Sequence, residues 1–476
     1  MNIKLLDKIT PLEQDFAKWY TDVITKGNLA TYGVLKGNIV FMPNSYGIWE
    51  NVQSNFNKII KELNVKNLYL PTLIPESLIN SEKDHVQGFA PELITVEKVG
   101  DKVLNEKLFL RPTSEVLFAE YFKTQLNSYN DLPLLLNQWA NVFRWEKTTS
   151  PFLRNSEFLW QEGHTSHYSE EEAHQFSKKM IQIYANFFEE FLAIPVIIGQ
   201  KTESEKFAGA HTTYTIEAMM KDGRALQSGT SHYLGQNFAK AFDISFKDKD
   251  NSKSFVYQTS WGISTRLIGA IIMVHGDNRG IIMPPKIATN QVDIITVFAN
   301  KNPEVLQKAN DLFKTLKNDF RVRINDSNKS VGFKAAQSEI EGTPIRIEIG
   351  PEDLKQNKVI LIRRDTQEKI DVKIDELKSE IFSQIEKIHE NLLMQAKRLL
   401  NEKIVDVEDY ESLKKEIAKG NFVRVPFDGD KKEEEIIKKE TFATPRCIPL
   451  NFIGETKKCI MTNKETKRYV IFAKSY

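Results

Sequence analysis

The apolar pattern of this chain changes character at Met283-Pro-Pro285, and that break limits the folds open to it. Before it, long stripes repeat at steps of three and four residues; after it, short β-rich runs alternate with helical ones. One uniform architecture does not accommodate both patterns. The 476 residues, at ~100–200 per domain, give two to four packed units.

In the first part, residues 45–63 read as an amphipathic helix with Ile48, Val52, Phe56, Ile59, Ile60 and Leu63 on one stripe. Leu68-Tyr-Leu70 follows as a short strand ended by Pro71. A second long helix begins at Ser169, where Ser169 and Glu172 make a capping box; its stripe is Ala173, Phe176, Met180, Tyr184, Phe187 and Phe191. In the second part, residues 292–298 read as a buried strand. Asn302-Pro303 supplies the N-cap and first position of a helix that turns Leu306, Ala309, Phe313 and Leu316 to a core. Strands are expected at 321–324, 344–349 and 358–363, and a helix from about 371 to 400. A small charged remainder follows, so the units run 1–287, 288–400 and 401–476.

Composition excludes several classes. Hydrophobic residues at 41% and charged ones at 27% are the mix of an ordinary globular protein, not of a collagen-like or disordered one. The longest apolar run, residues 267–274, is far short of the ~18–20 residues of a membrane helix. Met1-Asn-Ile-Lys-Leu-Leu-Asp-Lys8 mixes charges and lacks an apolar stretch, so no signal peptide is expected. Cys447 and Cys459 cannot build a disulfide framework and point to a reducing cytosol. With 65 basic and 64 acidic residues the net charge is +1, which disfavours a non-specific DNA-coating protein but allows local basic patches.

There is no Gly-x-x-x-x-Gly-Lys-Ser/Thr loop and no Gly-x-Gly-x-x-Gly fingerprint, so a nucleotide must be held by side chains. Arginines suit that task, because a guanidinium is always charged and forks onto two phosphate oxygens. Arg144 sits in Asn141-Val-Phe-Arg-Trp-Glu146, Arg154 in Pro151-Phe-Leu-Arg, and Arg266 in Ser260-Trp-Gly-Ile-Ser-Thr-Arg. Taken singly, each reads as a surface ion pair. Their surroundings change that reading.

Arg111-Pro-Thr-Ser-Glu115, Arg144-Trp-Glu146, Phe158-Leu-Trp-Gln-Glu-Gly-His164 and Gln227-Ser-Gly-Thr-Ser-His232 resemble the proline–tRNA ligases, which are class II aminoacyl-tRNA synthetases. The likeness is to the archaeal and eukaryotic-like branch. It extends over nearly the whole chain through Thr10-Pro-Leu-Glu-Gln-Asp-Phe-Ala-Lys-Trp-Tyr20, His85-Val-Gln-Gly-Phe-Ala-Pro-Glu92, Met273-Val-His-Gly-Asp-Asn278 and Lys474-Ser-Tyr476. The class I signatures His-Ile-Gly-His and Lys-Met-Ser-Lys-Ser are missing.

The resemblance implies an α+β class II catalytic domain, an antiparallel sheet flanked by helices, then an α/β anticodon-binding domain and a small α+β C-terminal domain. It implies ATP-dependent ligation of L-proline to tRNA(Pro) through prolyl-adenylate, with Mg²⁺ beside the ATP, in a cytoplasmic homodimer. Motif 1 would be residues 45–71 and would pack across the dimer; motif 2 would span 141–164 and motif 3 residues 261–278. Arg144 would be the catalytic residue, placed between the proline carboxylate and the α-phosphate. Arg154 and Arg266 would hold the outer phosphates, and Glu146, Gln227, Thr230 and Ser264 would complete the ATP site. Thr113 and Glu115 match the amine-binding positions; Phe89, Trp160 and Phe207 would wall the proline ring, with Glu162 and His232 as polar contacts. His164 is left as a structural partner of Glu162.

Val331-Gly-Phe-Lys-Ala-Ala, Glu341-Gly-Thr-Pro-Ile-Arg-Ile-Glu-Ile-Gly-Pro351 and Leu361-Ile-Arg-Arg-Asp365 resemble the family's anticodon domain, with Lys334, Arg346, Arg363 and Arg364 as expected tRNA contacts. Three departures stand out. Asn155-Ser156 replaces a common Thr-Arg, Gly209-Ala-His-Thr-Thr213 replaces Gly-Gly-Asp-Tyr-Thr, and of four zinc-binding cysteines found in relatives only Cys459 has a counterpart, so no zinc is expected. About a hundred residues separate motif 2 from motif 3, too few for the large editing insertion of some bacterial relatives. The alternatives are a sister ligase for threonine, glycine or serine, and a non-catalytic tRNA-binding or regulatory relative. All three ATP-holding arginines are present, which argues against the second.

Overall fold

The computed structural model describes residues 9–80 and 93–476; the string 85–92, with Phe89, lies outside them. Seven strands form the catalytic sheet: β1 (Lys66–Asn67), β2 (Leu134–Phe143), β3 (Glu157–His167), β4 (Val196–Gln200), β5 (Thr212–Met219), β6 (Ala225–Gly235) and β7 (Tyr257–Ser264). A five-stranded sheet follows: β8 (Val292–Thr296), β9 (Val322–Asn325), β10 (Ile345–Ile349), β11 (Lys358–Arg363) and β12 (Lys369–Lys373). The last four are β13 (Ile404–Asp406), β14 (Phe422–Pro426), β15 (Thr444–Pro449) and β16 (Tyr469–Ala473).

These last strands do not form a sheet of their own. They extend the catalytic one, giving eleven strands in the order β13-β14-β16-β15-β4-β5-β6-β7-β3-β2-β1. The junction is the antiparallel pair β15–β4, with Ile448 opposite Gln200 and Pro449 opposite Gly199. It is tight: a Cβ on Gly199 would lie 2.4 Å from that of Cys447. All neighbours are antiparallel except the outermost pairs β1–β2 and β13–β14. The five-stranded sheet is mixed, in the order β9-β8-β10-β11-β12, with β8 parallel to both neighbours.

Helix α2 (Pro43–Glu62) starts on a proline at its first turn, where the missing N–H costs nothing. Its stripe is borne out: Ile48, Val52, Phe56 and Ile60 are fully buried. They face the chain's own sheet and α4 (Glu170–Leu192), with the Phe56 ring against Trp139, Tyr184 and Phe187. The stripe is therefore core and leaves no argument for a dimer. The short strand expected at 68–70 lies two residues earlier, at β1; beyond it Leu68 donates to the Asn137 carbonyl and Leu70 to the Gln138 side chain.

At α4, Ser169 accepts from the Glu172 amide as expected. The Glu172 carboxylate reaches His167 at 3.1 Å rather than completing a capping box, because a buried imidazole is the stronger partner. In the second unit, α6 (Pro303–Leu316) buries Val305, Ala309, Leu312 and Leu316, so the expected stripe is rotated by one residue at Leu306 and Phe313. Residues 369–373, partly expected as helix, pair with β11 as β12, and the helix α8 runs Leu377–Lys403. Among the described residues no helix is long and apolar enough to cross a membrane.

Candidate active site

Four strands supply the floor of a cleft of about 280 Å³. On β3, Phe158, Trp160, Glu162 and His164 all line it, as alternate residues of a strand must when one face is turned to a cavity. From β6 come Gln227, Thr230 and His232, and from β7 Ser260, Gly262 and Ser264. Trp261, on the other register of β7, lies over Gly163 so closely that a Cβ there would be 2.1 Å from the indole, which fixes β3 against β7.

At one end, α3 (Glu115–Gln125) opens on Glu115, whose carboxylate sits at the helix N-terminus, where negative charge is favoured. The Thr113 hydroxyl donates to it. Beneath, Ser114 Oγ donates to Glu162 Oε1 at 2.6 Å, Gln138 Nε2 joins the same oxygen, and His164 Nε2 lies 3.0 Å from Oε2. Phe118 stacks on His164 at 3.9 Å. Glu162 is thus both cleft wall and the hub of a buried network. His232 stacks on Phe207 at 4.5 Å, and its Nδ1 is 3.0 Å from Thr213 Oγ1. Burial pulls its pKa down to about 4 against the pull of Glu115, so it is neutral at pH 7.

At the other end the arginines gather. Arg144 Nε donates to the Pro112 carbonyl at 3.1 Å, and its guanidinium lies over Phe158 and Trp160. Arg266, first residue of α5 (Arg266–His275), is half-buried, with Nε 3.3 Å from the Leu153 carbonyl and Nη1 3.3 Å from that of Gln227. Burial, then the neighbouring Arg144 and Arg154, press its pKa down to about 10. The Leu153 carbonyl is presented by a loop that turns back at Phe152, a buried residue with φ of 62°. Guanidiniums gathered this closely repel one another and favour an anion among them.

Of the expected residues, Thr113, Glu115, Arg144, Trp160, Glu162, Phe207, Gln227, Thr230, His232, Ser264 and Arg266 line this one cleft. Glu146 and Arg154 do not line it, although their charges act on Arg266; Arg154 is exposed on the motif 2 loop. Phe158 and His164, the latter expected only as the structural partner of Glu162 that it is, line the cleft too, and Thr213 and Ser260 were missed. The alternation Phe158, Trp160, Glu162, His164 carried the signal for the first two.

The expected anticodon contacts Lys334, Arg346, Arg363 and Arg364 are all turned inward. Lys334 donates to Thr296, Arg346 pairs with Glu339 and Glu348, and Arg363 with Asp365. Arg364 forks onto Asp277, just beyond α5, at 2.7 and 2.9 Å. Their charge already has partners within the chain.

Residues 95–275 match the family described as tRNA synthetase class II core domain (G, H, P, S and T), residues 291–384 an anticodon binding domain, and residues 410–476 the prolyl-tRNA synthetase C-terminal domain. The proline--tRNA ligases of Mycoplasmopsis pulmonis and Mycoplasmopsis synoviae are each 57% identical over the full length of both chains, and that of Mesomycoplasma hyopneumoniae strain 7448 is 50% identical over the same extent. The crystal structure of prolyl-tRNA synthetase from Cryptosporidium parvum, complexed with halofuginone and AMPPNP, superposes with a TM-score of 0.95 at 39% identity, covering 99% of this chain and 100% of that one. Identity of this level over the full length of both chains shows that the chain belongs to the proline–tRNA ligases.

Proposed function

We propose that this ligase forms prolyl-adenylate in the cleft with Arg144 as its catalytic residue. The observation that carries the reading is the placement of Arg144 on the wall between the Thr113–Glu115 end and Arg266. The proline carboxylate and the α-phosphate are both anionic, and a guanidinium between them neutralises both while holding the attack in line. Thr113 and Glu115 take the secondary ammonium, and Trp160 and Phe207 wall the ring. His232, neutral, offers a hydrogen bond rather than a like charge. The carboxylate is already ionised, so no general base is needed.

Gln227, Thr230, Ser264 and Arg266 hold the nucleotide, with Arg154 and Glu146 closing over it from the motif 2 loop. Among the described residues no group of three or more His, Cys, Asp or Glu could hold a metal. Mg²⁺ arrives on phosphate oxygens and takes one or two carboxylates, and Glu146 is the candidate. The crystal structure with AMPPNP is of a relative, and the parallel supports this assignment. Zinc is not part of the proposal. Cys447 is buried with its thiol pushed up to about 12, and Cys459 Sγ accepts from the Asp428 amide.

The protein acts as a cytoplasmic homodimer. The exposed apolar residues Tyr32, Val34, Leu35, Val40 and Tyr69, rather than the buried α2 stripe, are the surface available to a second copy. Proline-dependent exchange of pyrophosphate into ATP tests the cleft assignment, with alanine, threonine, glycine and serine as controls. Exchange with proline and loss of it in Arg144→Ala is the expected result. Light scattering that finds an active monomer at micromolar concentration would remove the dimer.

A further inference from the structure

Glu217 lies beside the cleft residues and has no part in the chemistry above. Across β5 and β6, Thr213 is opposite His232, Thr215 opposite Thr230, and Glu217 opposite Gln227. Opposed residues share a face of a sheet, so these three β5 side chains run alongside the proline and nucleotide contacts. The register shifts between Ile216 and Glu217, where β6 carries one extra residue, Ser228. Without that bulge Gln227 would point to the opposite face from Thr230. The bulge is what turns Gln227 into the cleft, and Glu217 sits at it.

The Glu217 carboxylate is fully buried and clamped by two cations. Lys201 Nζ donates to Oε1 at 2.8 Å, and Thr215 Oγ1 to the same oxygen at 3.0 Å. Arg446 forks onto Oε2 with Nε at 3.1 Å and Nη2 at 2.9 Å, and its carbonyl accepts from Lys201 Nζ at 2.9 Å. Burial pushes the carboxyl up, but Arg446 and Lys201 outweigh it and hold Glu217 ionised. Its charge also acts on Arg266. Arg446 belongs to β15, in the C-terminal unit, and makes no contribution to the cleft lining.

We propose that Arg446 and Lys201, by clamping Glu217 at the β5–β6 bulge, are positioning residues for ATP, so that the C-terminal unit completes the nucleotide site without touching the nucleotide. This rests on the assignment of Gln227 and Arg266 to ATP. Removing one cation leaves a buried carboxylate with half its counter-charge, and the strand segment that carries it must move to find water. The movement falls on Gln227 and the arginine it holds, not on the Glu115 end of the cleft.

The test is proline-dependent pyrophosphate exchange on full-length Arg446→Met, Arg446→Lys and Gln227→Ala. In Arg446→Met the KM for ATP is expected to rise roughly tenfold, the lower range for losing a supporting partner of a ligand-binding group. The KM for proline stays unchanged, and Arg446→Lys recovers most of the loss. A purely structural role would instead lower the active fraction and leave both KM values alone. If Gln227→Ala raises the KM for ATP and folded Arg446→Met does not, or if both KM values rise together, the proposal is overturned. If Gln227→Ala leaves it unchanged, the nucleotide assignment itself fails and takes the proposal with it. Should Arg446→Met not fold, Lys201→Met removes the other cation of the clamp; a KM for ATP that rises alone supports the proposal and an unchanged one overturns it.

Discussion

Two sets of guanidiniums in this molecule look alike in sequence and differ in the company they keep. In the cleft, Arg266 is held by backbone carbonyls, and burial, then the charges of Arg144 and Arg154, lower its pKa. In the five-stranded unit, Arg346, Arg363 and Arg364 are each matched to a carboxylate at 2.7–3.0 Å. Carbonyls orient a guanidinium without cancelling its charge, so the first set stays available to an anion. The second set is neutralised and holds the fold together. What distinguishes them is the partner, and the partner comes from elsewhere in the chain.

The largest effect expected from this contrast is on catalysis. Arg144→Ala should cost ~3–4 kcal/mol of transition-state stabilisation, a 10²–10³ loss in proline-dependent exchange, with little change in thermal stability. A near-normal exchange rate would place Arg144 with the structural set. Arg364→Ala should behave in the reverse sense. A fully buried pair broken on one side costs ~3–5 kcal/mol. Asp277 keeps 37% of its side chain exposed, so about 2 kcal/mol in urea unfolding is expected, with unchanged KM values for ATP and proline in the folded fraction. A selective rise in the KM for ATP would move Arg364 into the functional set.

The next prediction concerns the neutral histidines at the two ends of α5 and the cleft. Burial lowers His232 to about 4 and His275 to about 3, against an ordinary value of 6.5. Below pH 6.5 the unfolded chain binds protons that the folded one refuses, so stability falls as pH drops from 6.5 toward 4. Each histidine contributes a slope of at most about 1.4 kcal/mol per pH unit in that window. Urea unfolding at pH 7.5, 6.5 and 5.5 checks it; a flat profile in the wild type would mean that neither imidazole is desolvated. The smallest effect is expected at Lys253–Asp243, where both side chains are more than half exposed. Lys253→Ala should leave both the melting temperature and the exchange rate unchanged, and a measurable loss of either would mean that an exposed pair counts as much as a buried one.

Local order was legible because short-range chemistry carries it. The α2 stripe of Ile48, Val52 and Phe56, the Ser169 cap and the strand 358–363 follow from spacing and capping alone. The cleft was legible through its strings, which fall on adjacent strands. The fate of Lys334, Arg346 and Arg364 was not, because a partner of each lies on another element: Thr296 on β8, Glu339 on α7 (Val331–Glu341), Asp277 beyond α5; Arg363 instead pairs with Asp365, two residues on. The α6 stripe is shifted in part: Val305 and Leu312 are the buried positions, while Phe313 packs against the same core only partly buried. The joining of β15 to β4 had no local signature at all.

That junction sets a schedule for the newborn chain. When the ribosome has made β4 through β7, the edge of β4 is still bare, and Glu217 has only Lys201 for a counter-ion. The strand that covers that edge is complete about 185 residues later, which at ~5–20 residues per second is roughly 9–37 s of synthesis. Through that interval the half-made enzyme carries an open sheet edge, the feature by which folding chains find wrong partners. A factor that shields nascent edges, or a slow stretch of message placed after residue 449, would therefore change the yield of active protein without changing a single contact in the finished one.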